Sequence, residues 1–162
     1  MNKKSLIIVL TVIAVLVISA LVYFLMNTEN SFLVGEPKLK LEDFVEFKDD
    51  VYTSYFSDIE MMDIHPTVLE DIYMIDSRVY ISYVGKIPRG NKDSSMYIVF
   101  KAIKGKENEL KQKLEDYLQI HIGRWKHMPE QQKLAEEARI GKKGDIVYLI
   151  IGKDAKKIVG LL

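Results

Sequence analysis

Three histidines, His65, His121 and His127, are the first places to look for chemistry. A zinc site needs three or four nitrogen, sulfur or carboxylate ligands at short, regular spacing. His121 and His127 stand six residues apart in one helix-forming stretch, which turns them about 240° apart around the axis. No His-Glu-x-x-His pattern occurs. Cysteine is absent, which removes thiolate ligands, disulfides and cysteine nucleophiles together. The spacing fits ordinary boundary histidines, so no metal and no cofactor is expected. Acyl transfer fares no better. There is no Gly-x-Ser-x-Gly elbow, and Ser54, Ser57, Ser77, Ser82, Ser94 and Ser95 have no evident base nearby in sequence. A triad assembled in space stays open, and no catalytic residue is assigned. Gly141-Lys142-Lys143-Gly144 matches neither phosphate-cradling loop pattern and reads as a hairpin turn. The acidic pairs Asp49-Asp50, Glu115-Asp116 and Glu136-Glu137 diverge by about 100° on a helix, as a solvated face requires.

One cluster suits recognition rather than catalysis. His121, Arg124 and Trp125 fall in the final turns of one helical stretch, with His121 and Trp125 as i, i+4 neighbours. A tryptophan beside an arginine suits stacking on a sugar ring or anchoring a partner. The competing reading is that Trp125 completes an apolar stripe with Leu114 and Leu118, and the spacing favours that core role. Tyr73 and Asp76 are the other binding candidates. Asp76 fits a helix-terminating turn residue better than a ligand group.

The elements that must position these residues are set by periodicity. Residues 41–56 place Phe44, Phe47, Val51 and Phe56 at helical spacing. Residues 57–65 read as a connection. Thr67-Val68-Leu69-Glu70 fits a capping box behind Pro66, opening a short helix to Ile75. Residues 78–87 and 95–103 read as strands. In the second, Met96, Ile98, Phe100 and Ala102 face one way and Tyr97, Val99 and Lys101 the other. A long amphipathic helix covers 107–127 through Leu110, Leu114, Tyr117, Leu118, Ile122 and Trp125. Pro129 stops it, and the polar residues 130–137 have room for one more helical turn. Residues 138–140 and 146–151 form a hairpin, and 154–161 a last helix. The fold class is α+β: a mainly antiparallel four-stranded sheet in the order ββαββα, with helices on one face.

The amino terminus sets the expected compartment. Residues 6–26 form an apolar run without a charge. At 1.5 Å per residue it spans about 31 Å, the thickness of a bilayer core. Insertion gains on the order of 5–9 kcal/mol. A cleaved signal peptide has an apolar core of only about 7–15 residues, so an uncleaved anchor is the better fit. Lys3 and Lys4 precede the run and no Lys or Arg comes again until after Pro37, which puts the N-terminus in the cytoplasm. The expected division is a cytoplasmic stub and transmembrane anchor over 1–26, a tether over 27–40 and an extracytoplasmic domain over 41–162. The chain holds 23 basic and 23 acidic residues. Without Lys3 and Lys4, the exported part sits near −2, which argues against nucleic acid as a partner.

Several of these features also carry a resemblance. They are the anchor and tether, the short helix ending Tyr73-Met74-Ile75-Asp76, the strand Ile98-Val99-Phe100-Lys101-Ala102 with Gly105-Lys106-Glu107, and Lys143-Gly144-Asp145-Ile146-Val147-Tyr148. Over about residues 60–160 the chain resembles an uncharacterised family of membrane-anchored or lipidated extracytoplasmic domains from Gram-positive bacteria. Members often carry a Tyr-Gly-Ile-Asp stretch, and here Met74 takes the glycine place. Many use a lipidated cysteine, for which the span substitutes here. The resemblance implies location and architecture and supplies no chemistry. The expected role is therefore a noncatalytic, membrane-tethered binding or scaffolding module, a single-pass protein of the cell membrane. It would hold the lipid bilayer through residues 6–26 and an envelope protein or wall polymer through its domain. A cell-envelope hydrolase with a site not recognisable from sequence is the alternative.

Overall fold

A computed structural model describes residues 43–162. The anchor and the tether expected over 1–40 lie outside the described residues. Among the described residues, no helix is long and apolar enough to cross a membrane.

Two strands, β3 (Met96–Ala102) and β5 (Ile146–Ile151), form the centre of an antiparallel sheet. Both are apolar on both sides, the pattern of strands buried between two layers. β2 (Tyr80–Pro88) pairs along the other edge of β3, and β4 (Arg139–Lys143) along the other edge of β5. The sheet has five strands rather than four, in the order β1-β2-β3-β5-β4. The additional strand, β1 (Met61–Asp63), lies inside the stretch read as a connection. Three residues are too few to show alternation, and their pairing with residues 86–88 of β2 is a long-range event. Asp63 ties this edge down through Lys48 at 3.0 Å and Lys86 at 2.7 Å. Those lysines hold its carboxyl below the usual range, Lys86 most strongly.

The helices cover both faces of the sheet, which corrects the expectation of one. On the first face, α2 (Pro66–Asp71) and α3 (Glu107–Arg124) pack on Met96, Ile98, Phe100, Val147, Leu149 and Ile151. On the second, α1 (Phe44–Tyr55) and α5 (Ala155–Leu161) pack on Tyr97, Val99, Ile146, Tyr148 and Ile150. The odd-numbered residues of β3 and even-numbered residues of β5 need this cover, since an open apolar face costs about 25 cal/mol per Å² left in water. The Tyr97 hydroxyl, at the end of that second face, donates to the Lys48 carbonyl of α1 at 2.7 Å.

Local chemistry moves several boundaries. His65, not Thr67, caps α2: its Nδ1 accepts the Thr67 N–H at 3.4 Å, and Pro66 takes the first helical position. α3 ends at Arg124, and Pro129 opens a separate helix, α4 (Pro129–Glu136), instead of only stopping the one before. The hairpin turns at Gly144-Asp145, with Gly144 at φ +59°, a two-residue turn with glycine first. Gly141 instead sits within β4 opposite Tyr148.

Beyond the end of α2 the chain turns back on itself. The Ile75 N–H reaches to the Leu69 carbonyl at 2.8 Å, and the chain makes this return through Met74 at φ +54°. Left-handed backbone costs a side-chain-bearing residue about 1–2 kcal/mol. Met74 is 68% exposed, so its side chain offers little burial in return. Glycine loses about 0.5–1 kcal/mol more chain entropy on folding. Met74→Gly should therefore stabilise the fold by about 0.5–1 kcal/mol in denaturant unfolding. Gly85 is constrained by space. A Cβ there would stand 2.6 Å from the Tyr97 carbonyl and 2.9 Å from Ile64 Cδ1. Gly85→Ala should cost about 1–3 kcal/mol by the same measurement.

Candidate functional site

The buried stripe of α3 changes character along its length. It begins with Leu110 and Leu114, moves on three residues to Tyr117, and continues at four-residue steps to His121 and to Trp125, which caps the helix. These last three meet Tyr73 from the end of α2, Met96 from the start of β3 and the β2–β3 loop over residues 90–93. Together they wall a cavity of about 560 Å³. That volume lies within the range of small-molecule sites.

Its floor is aromatic and neutral. The Tyr73 and Tyr117 rings lie 3.9 Å apart between centroids. The Tyr73 hydroxyl donates to Met96 Sδ at 3.9 Å. Burial pushes both phenols above their ordinary value, Tyr73 far above it. Burial likewise lowers the pKa of His121, and the Arg124 charge adds to this, outweighing the Ser94 carbonyl's support for the protonated form. The His121 Nδ1 stands 3.1 Å from the Tyr117 hydroxyl. Its Nε2 meets two groups, the Ser94 carbonyl at 3.0 Å and the Trp125 indole N–H at 3.2 Å. A neutral Nε2 donates to the first or accepts from the second, never both. One polar group on this wall is thus always short of its partner.

The rim is cationic. Arg124 is exposed, lines the cavity and makes no ion pair among the described residues. Its charge bears on Tyr73, Tyr117 and His121 of the wall. His127, also on the rim, lies nearly parallel to Trp125 at 6.4 Å between centroids. The carboxylate on this wall, Asp93, is occupied in accepting the Ser95 N–H at 2.6 Å.

Four of the five residues singled out from sequence, Tyr73, His121, Arg124 and Trp125, meet at this cavity. Trp125 is both core and wall, being only 8% exposed. Asp76 stands apart. It caps the 3-10 turn Ser77–Val79 by accepting the Arg78 N–H at 2.8 Å and pairs with the same residue's guanidinium at 2.8 Å. That pairing holds its carboxyl below the usual range. Sequence reasoning missed Tyr117 and Met96 as wall residues because both look like plain core. The four-residue step from Tyr117 to His121 was the available signal.

Asp93, Ser94 and His121 also meet here, but not as a hydrolytic triad. The imidazole faces the carbonyl of Ser94, while the Ser94 hydroxyl donates to the Gln131 carbonyl at 2.8 Å. Among the described residues, no group of three His, Asp or Glu side chains could hold a metal ion.

Residues 53–152 match the family model DUF4358, described as a domain of unknown function. The chain belongs to the DUF4358 family. No curated protein and no solved structure matches it. The DUF4358 match includes all five strands, α2 to α4 and every residue lining the cavity. It agrees with the resemblance to an uncharacterised family.

The depressed pKa of His121 fixes a sign. The imidazole is neutral when folded, so its contribution to stability is whole above the unfolded value of about 6.5. It is lost as pH falls through the lower folded value. Urea unfolding of the full chain, monitored by Trp125 emission, should show stability dropping from pH 7.5 to 5.5. His121→Gln should flatten that slope.

Proposed function

We propose that the chain is a noncatalytic binding module of the cell envelope, held at the outer face of the membrane by residues 6–26. A single observation carries the binding part: a cavity of about 560 Å³ with an aromatic floor is rimmed by an arginine that makes no ion pair among the described residues. Binding sites of small molecules commonly combine a mostly apolar wall with a few convergent polar groups. The groups a hydrolase would recruit here are committed elsewhere. The Ser94 hydroxyl joins the β2–β3 loop to α4, the Asp93 carboxylate holds a backbone amide, and burial keeps the phenols protonated. Anchoring and export rest on the apolar run over 6–26 and the lysines before it.

Two measurements test the reading. Protease added to intact cells should digest the domain while mass spectrometry recovers an unclipped 1–26 segment. Native mass spectrometry of the full chain extracted from its membrane should show a bound small molecule. Ile72→Glu, placed in the exposed part of the cavity wall, should lose it. Turnover of a wall polymer by the purified chain, or a domain that protease spares on cells shown to be accessible, would sink the proposal.

A further inference from the structure

We infer that the cavity selects a ligand with an apolar ring and an oxyanion, either carboxylate or phosphate, with the anion held on Arg124. This rests on the binding role proposed for the cavity and goes beyond it by naming the chemistry of the ligand. Three observations converge. Arg124 lines the cavity, has no ion pair among the described residues, and its charge reaches Tyr73, Tyr117 and His121 on the wall. A guanidinium fork fits a carboxylate or phosphate edge with two parallel hydrogen bonds. The wall below it is built from Trp125, Tyr117, Tyr73, Ile72 and Val68, surfaces for a ring rather than for a polar chain. The third observation is the divided loyalty of His121 Nε2, at 3.0 Å from the Ser94 carbonyl and 3.2 Å from the Trp125 N–H. An oxyanion in the cavity gives the indole N–H an acceptor of its own and leaves Nε2 to donate to Ser94. The Ser94 carbonyl and the indole N–H are then satisfied together. A neutral ligand leaves the guanidinium without a counter-charge.

The chain contains one tryptophan, so its emission reports this wall alone. The full chain in a non-ionic detergent micelle is titrated at pH 8 with phenyl phosphate, phenylacetate, 2-phenylethanol and inorganic phosphate. At least one of the two ring anions should change Trp125 emission saturably and bind about tenfold tighter than 2-phenylethanol. Which of them binds tighter separates a phosphate from a carboxylate source. Inorganic phosphate alone should bind weakly, since it lacks the ring. Arg124→Gln should weaken the ring anion by about tenfold and leave 2-phenylethanol unchanged, whereas Arg78→Gln, altering another exposed arginine, should change neither. If 2-phenylethanol binds as tightly as the anions, or if Arg124→Gln leaves their affinity intact, the anion assignment is wrong while the cavity remains a binding site. Binding that survives Ile72→Glu, which sets a carboxylate in the same wall, lies elsewhere and overturns the inference, as does the lack of any saturable response.

Discussion

Strands β3 and β5 present apolar side chains to both sides of one sheet, and that demand organises the rest of the molecule. Phe100 and Leu149 on one side and Tyr97 and Ile150 on the other are all fully buried. Each side requires its own layer, so α2 and α3 cover one and α1 and α5 the other. A single layer would leave several large side chains in water, at about 1.5–3 kcal/mol each. The cavity is a by-product of this arrangement at the end of the first layer. There the α3 stripe turns from leucine to larger, polar-tipped rings, and the β2–β3 loop closes over them instead of another strand.

Much of this was readable from side-chain spacing. The alternation in β3 and the stripe from Leu110 to Trp125 are strong local signals, and both elements lie within a few residues of where periodicity puts them. The continuous apolar run Ile146–Ile151 is buried on both faces, a demand that the expected single layer of helices left unmet. The placement of helices on one face failed because the first and last helices carry no mark of which layer they join. β1 escaped notice for a related reason. A three-residue edge strand is specified by its partner and by the Lys48 and Lys86 contacts to Asp63, none of which is local.

The site was legible to the extent that it lies on one helix. His121, Arg124 and Trp125 are close in sequence, and Tyr73 stood out beside a short motif. The rest of the wall comes from a distant loop and strand. Met74 shows how a single backbone angle carries information that composition hides. Its positive φ is a conformation that glycine adopts without strain and that other residues rarely take. The motif is thus a device for turning the chain sharply beneath Tyr73.

The two margins of the sheet bear on how copies of the chain behave when crowded together. One margin offers only three residues for pairing and holds an aspartate clasped by two lysines. At the other, β4, Lys142 reaches Asn108 of α3 and Lys143 reaches the Val159 carbonyl of α5, so side chains strap the strand to helices on both sides of it. Short or charge-laden borders of this kind discourage strands of separate molecules from zipping together. The sheet can keep a thoroughly greasy interior without inviting its neighbours to extend it into a fibril.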